Sequence, residues 1–260
     1  MESIFSKSGI KKLEDLFLTK TLFAFDFDGT LAPIVTSPEK AQMSKKTSSL
    51  LNKFRELACV ALISGRSISD LKKRNKIPQD IQMVGNHGLE IQNQMGISLT
   101  EEAKSCRLWI KRMVPILETL EGCELEDKVY SIAIHYRKSR KKTEAQNRIL
   151  KEVSLWPTPP RVIFGKGVIN LLPAGTTNKG LAMIELMKQS SSNTGFYIGD
   201  DDTDEDVFCL PNPEILTIRV GKKSKSHALY FIKTQSEINS LLQLLIELKH
   251  KTSTKNKNSK

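Results

Sequence analysis

The stretch Thr21 to Leu31, TLFAFDFDGTL, limits the possible fold more than any other part of the chain. Leu22, Phe23, Ala24 and Phe25 are apolar without alternation, the pattern of a central parallel strand covered by helices on both faces. That strand runs straight into Asp26-Phe27-Asp28-Gly29-Thr30. In an open α/β sheet the C-terminal strand edge is where ligands bind, and carboxylates two apart on an extended chain point the same way. Like charges that close call for a cation or a shared proton. An ordinary Asp-Gly turn would use the same letters, so the rest of the chain has to decide.

Further strand-to-turn units follow. A helix is expected over Ser44 to Leu57, with Leu50, Leu51, Phe54 and Leu57 on one face, before a buried strand at Cys59 to Ile63. It ends in Ser64-Gly65-Arg66, where a hydroxyl, exposed amides and a guanidinium can hold an oxyanion, or simply turn the chain into a helix capped by Ser67. A third strand, Ile81 to Gly85, leads into Asn86-His87-Gly88-Leu89-Glu90, either a ligand-facing turn or a tight hairpin. Further on, Asn178-Lys179-Gly180 opens a helix. A lysine in a first helical turn runs against the dipole preference, as it would if it served an anion. The run Gly195 to Phe208, GFYIGDDDTDEDVF, is another apolar strand ending in acids, with Asp200, Asp201, Asp202, Asp204, Glu205 and Asp206 crowded together. Capping of a helix by Thr203 explains some of them; a divalent cation with hard oxygen ligands explains the density better.

Between these core elements, residues from about 100 to 165 have another texture. A helix over Glu101 to Leu120, kinked at Pro115, is expected, then an alternating strand over Val129 to Tyr136, a second helix over Thr143 to Leu155, and a strand over Arg161 to Phe164. A small α+β lid fits that pattern. If the pleat continues, Arg137 joins Ser131 and His135 on its polar face.

Composition excludes several classes. Four cysteines are scattered without a CxxC pair, so neither a zinc ribbon nor a disulfide framework is indicated. No apolar run approaches the length of a membrane span and the N-terminus lacks a leader pattern, so a cytoplasmic protein with no membrane contact is expected. The net charge of +11 includes five lysines from Lys249 onward, leaving about +6 elsewhere. That end carries no interleaved aromatics, so a disordered basic tail over 251–260 is expected rather than a nucleic-acid arm.

Taken in order, DFDGT at 26–30, Ser64 at a strand end, Lys179 at a helix start and GDDDTDED at 199–206 resemble the four motifs of the haloacid dehalogenase (HAD) superfamily. Within it, SGR at 64–66, HGLE at 87–90, HYR at 135–137 and GDDDTDEDVF are similar to trehalose-6-phosphate phosphatases over roughly Leu22 to Leu248. The resemblance implies a doubly wound, mostly parallel Rossmann-like core built from 1–95 and 168–250, with an inserted α+β cap over 96–167. It implies Asp26 as nucleophile and Asp28 as acid and base. Mg²⁺ would be held by Asp26, Asp28 through its carbonyl, and Asp200, with Asp204 in support. Ser64 and Lys179 would steady the phosphoryl group. Sugar contacts would come from Arg66, Asn86, His87, Glu90, Glu126, Lys128, Arg137 and Lys166, and from Asn170, which stands where the family pattern has glutamate. The expected partner is therefore a small sugar phosphate, trehalose 6-phosphate or another one. A catalytically silent sugar-phosphate-binding domain is the rival from a different class. A monomer is expected, and a sugar-phosphate synthase is the protein partner such an enzyme would have.

Overall fold

The computed structural model describes residues 1–35, 40–75, 77–92, 100–165, 167–175 and 177–258. It divides into two compact units, 1–92 with 178–260, and 93–177.

The first unit begins with β1 (Glu2–Ser3), α1 (Lys7–Leu16) and β2 (Thr21–Phe25). It continues through α2 (Lys45–Arg55), β3 (Cys59–Ile63), α3 (Ile68–Asn75), β4 (Gln82–Gly85) and β5 (Glu90–Ile91). The second unit holds α4 (Thr100–Glu118), β6 (Glu124–Asp127), β7 (Ile132–His135), α5 (Lys142–Ser154), β8 (Arg161–Gly165) and β9 (Val168–Leu172). The chain then returns to the first with α6 (Lys179–Gln189), β10 (Thr194–Gly199), α7 (Glu205–Phe208), β11 (Ile215–Val220), β12 (Tyr230–Ile232) and α8 (Ile238–Asn258).

The sheet of the first unit runs β1-β12-β11-β10-β2-β3-β4-β5 and is parallel except for the β4–β5 pair at its edge. As the apolar run requires, every residue of β2 is buried. Phe23 and Phe25 enter one core layer beside Leu51, Phe54, Leu242 and Leu245, while Leu22 and Ala24 enter the other beside Ala182, Met183 and Leu186. Burying an aromatic or aliphatic side chain of this kind contributes about 1.5 to 3 kcal/mol, so β2 is anchored from both sides. From β2 the chain winds outward through β3 and β4 in one direction and later through β10, β11 and β12 in the other. The strand order reverses at β2, which is the place in a doubly wound sheet where a ligand site forms.

In the second unit, β6-β7-β9-β8 form an antiparallel sheet. Ile132, Ile134, Ile169 and Leu171 face a core shared with Trp109 and Met113 of α4, Ile149 of α5 and Trp156 just beyond it, where the tryptophans stack at 5.7 Å.

Three expectations change. Strand β9 pairs with β7 and β8, so 168–172 belong to the inserted unit and not to the core sheet. The strand expected from Val129 starts only at Ile132: Val129 takes a left-handed φ of 71° in the turn of a β6–β7 hairpin, and its amide donates to Asp127 Oδ1 at 2.7 Å. The basic end is not irregular, because α8 continues to Asn258. Leu241, Leu242, Leu245 and Leu248 anchor it, and the hydroxyls of Thr252, Ser253 and Thr254 donate to carbonyls one turn back. Among the described residues, no helix is long and apolar enough to cross a membrane.

Candidate active site

The strand ends and one helix start bring four distant segments together. The Asp26 amide donates to Ile198 O at 2.9 Å, extending the β2–β10 pairing by one residue, and Ser64 N donates to Val84 O at 2.9 Å in the same way beyond β3. Asp26 and Ser64 are therefore fixed by backbone ladders at adjacent strand ends, and both side chains are buried. Asn178 caps α6 by accepting from Leu181 N at 2.8 Å. Its backbone lies against Gly88, where a Cβ would stand 2.5 Å from Asn178 O, so glycine in the 85–88 turn lets the start of α6 come in.

That approach buries Lys179, which is 2% exposed. Its ammonium donates to Asp26 Oδ1 at 2.8 Å and to Asp204 Oδ1 at 2.7 Å. Burial opposes the charge on Lys179, but Asp204 and Asp26 more than offset it and hold the lysine protonated. Burial also pushes the Asp26 carboxyl well above its usual range; Lys179 pulls it down, and Asp204 and Asp200 push it further up.

The acid-rich segment divides its work. Asp201 and Asp204 form a capping box, with Asp201 N donating to Asp204 Oδ2 at 2.8 Å, so the cap is Asp201 and not Thr203. Asp204 Oδ1 also accepts from the Tyr197 hydroxyl at 2.6 Å. Asp202 pairs with Lys223 and Glu205 with Arg219. Asp200 lies against Gly29: a Cβ there would stand 2.2 Å from its carboxylate, and the φ of +80° is one that glycine adopts without strain.

Asp26, Asp200 and Asp204 present oxygens within 4.8 Å of one another. One lysine among three carboxylates leaves excess negative charge, and hard oxygen donors suit Mg²⁺. Both Asp204 oxygens already accept protein hydrogen bonds, from Lys179 and Tyr197 on one and Asp201 N on the other, so of the three carboxylates Asp26 and Asp200 are the ones that could hold a cation.

Asp28 faces a different partner. Arg66 donates to it through both arms of its fork, at 2.6 and 2.7 Å, and to Asp70 at 2.7 Å. Burial works against the Arg66 charge, and the two aspartates outweigh it. Asn86 and Glu90 are engaged in local structure: Glu90 Oε2 accepts from Ile68 N at 2.9 Å at the start of α3 and from Asn86 Nδ2 at 3.3 Å. The His87 amide donates to Ser64 O at 3.0 Å, locking the two strand-end turns together. In the second unit Glu126 Oε2 accepts from His135 Nε2 at 2.9 Å, and Lys128 donates to Asn170 Oδ1 at 3.2 Å. Arg137 lies against Gly167. Lys166 falls outside the described residues.

Tyr197, Asp70 and Arg219 were not singled out from sequence. Arg219 carried a signal, a charge inside the apolar run Ile215–Val220; it is 5% exposed and donates to the carbonyls of Asp200 at 2.6 Å and Asp201 at 3.0 Å.

The sheet order and the carboxylate cluster at the reversal strand define a HAD fold, and solved structures agree. One described as a trehalose-6-phosphate phosphatase related protein superposes with a TM-score of 0.74 at 24% identity, covering 89% of this chain and 99% of that one. The C-terminal domain of a C. albicans trehalose-6-phosphate phosphatase does so with 0.71 at 21%, covering 92% and 96%. The trehalose-phosphatase family model matches residues 24–236, and the chain belongs to that family. It is 29% identical over 251 residues to trehalose-phosphate phosphatase B of Arabidopsis thaliana, covering 87% of this chain and 66% of that protein. It is 31% identical over 194 residues to a trehalose-phosphate phosphatase of Mycobacterium avium, covering 71% and 49%. The chain thus spans about half to two thirds of the length of these two relatives.

Proposed function

We propose that this chain is a Mg²⁺-dependent phosphatase that hydrolyses trehalose 6-phosphate to trehalose and phosphate. The observation that carries this reading is the buried Asp26–Lys179–Asp204 arrangement, with Asp200 alongside, at the end of β2. Membership of the trehalose-phosphatase family supports the substrate.

In the first step an Asp26 oxygen attacks phosphorus and the bond from phosphorus to the sugar oxygen breaks, with Asp28 giving its proton to that oxygen. In the second, Asp28 takes a proton from water, the water oxygen attacks phosphorus, and Asp26 leaves with phosphate released. Lys179 balances the charge of Asp26 and the phosphoryl oxygens, and the Ser64 hydroxyl donates to them. When bound, Mg²⁺ supplies positive charge that lets an anionic carboxylate approach an anionic phosphate. The Arg66 fork occupies both Asp28 oxygens, so the first proton transfer requires Arg66 to release at least one of them while remaining on Asp70; that oxygen takes a proton from solvent and then gives it to the sugar oxygen.

The sugar hydroxyls are assigned to Glu126, Lys128 and Arg137 of the second unit. Asn170 favours a second reading, the same chemistry on another sugar phosphate. Without a carboxylate at 170, charge-assisted bonds worth about 1.5 to 3 kcal/mol each are lost to the sugar. Phosphate release measured over a panel of sugar phosphates with Mg²⁺ tests both. Release from trehalose 6-phosphate above all others is expected; preference for another sugar overturns the substrate, and no release from any overturns the activity.

A further inference from the structure

A second cluster of ligating side chains lies apart from the oxygen-only site. Glu205 and Cys209 sit one turn apart around α7, where Cys209 N donates to Glu205 O at 2.8 Å, so their side chains share one face. His227 arrives on the segment between β11 and β12. Its amide donates to Glu205 Oε2 at 2.9 Å, and its ring Nδ1 is 3.4 Å from the same oxygen. A carboxylate oxygen, the thiol sulfur and an imidazole nitrogen lie within 4.8 Å of one another.

The carboxylate is oriented from behind. Arg219, buried on β11, donates to Glu205 Oε1 at 2.9 Å and leaves Oε2 turned toward His227. Fixing one carboxylate oxygen while the other faces the ligand position is how outer groups preorganise a metal site. We infer that Glu205, Cys209 and His227 form a binding site for a borderline-soft divalent cation of the Zn²⁺ type, distinct in metal preference from the Asp26–Asp200 cluster. A sulfur, nitrogen and oxygen set supplies three ligands of a tetrahedron and leaves a fourth position for water. Mg²⁺ prefers oxygen ligands and near-octahedral geometry, so the two sites sort the two cations. On binding, the Cys209 thiol releases its proton to solvent and ligates as thiolate, and the 221–229 segment becomes fastened to α7 immediately after Asp204.

The test is titration of the full chain with Co²⁺, a spectroscopic substitute for Zn²⁺, in excess Mg²⁺. One equivalent is expected to give a thiolate-to-cobalt charge-transfer band that Zn²⁺ abolishes and Mg²⁺ does not. Cys209→Ser is expected to lose the band, and His227→Ala to weaken apparent affinity by about tenfold or more. Both side chains are exposed, so both variants should melt at the parent's temperature without metal. No band in the parent, a band surviving in Cys209→Ser, or displacement by Mg²⁺ would each overturn the site.

Discussion

The two units handle charge in opposite ways. In the first, Asp26, Lys179 and Asp204 are all under 5% exposed, and each is gripped by backbone ladders, a cap or another charge. In the second, Glu126 is 45% exposed at its side chain and pairs with a half-buried His135 across an open hairpin. Burial makes the first arrangement rigid and costly to alter, whereas exposure leaves the second adjustable at little cost to stability. The difference matches the division of labour proposed above, with fixed chemistry in one unit and variable recognition in the other.

The hardest test of this contrast is Lys179→Met. It strands two buried carboxylates without their cation, and breaking such a pair costs about 3 to 5 kcal/mol. Chemical denaturation should show a loss of that order, and phosphate release should vanish. Next comes Gly29→Ala. Left-handed backbone costs a non-glycine residue about 1 to 2 kcal/mol, and the new methyl would displace the Asp200 carboxylate. The expected outcome is higher Mg²⁺ demand in the activity assay with only modest loss of stability.

Asn170→Glu probes the other side. A carboxylate there would face Lys128, and on the proposed sugar role of residue 170 the KM for trehalose 6-phosphate should fall by about tenfold or more, the worth of one charge-assisted bond, with kcat little changed. An unchanged KM removes the substrate role of residue 170. The smallest effect is expected for Glu126→Gln, whose stability should stay within about 0.5 kcal/mol of the parent. If it costs as much as Lys179→Met, the contrast between the units fails.

Much of the first unit was readable because its strands are unbroken apolar runs. The segments 22–25, 59–63 and 195–199 admit few alternatives, and acids, a hydroxyl or a glycine mark where each one ends. Lys179 was readable because it sits oddly in a first helical turn. Other features depend on distant partners. Tyr197 reads as one more aromatic in a strand until Asp204 is folded back beneath it. The polar hairpin strand Glu124–Asp127 has no apolar alternation to announce it. At the C-terminus, lysine content argued for disorder, while leucines packed up to Leu248 carry the helix outward. Asp28 looked free to act as an acid, and only the fold brings the Arg66 fork onto it.

Everything rests on Asp26 as the attacking group. Phosphate release from trehalose 6-phosphate with Mg²⁺ should be compared between the parent and Asp26→Asn, with circular dichroism to check that the variant remains folded. The account predicts a fall of about a thousandfold or more, as when a nucleophile is removed. A folded Asp26→Asn protein that keeps the parent's rate would contradict it.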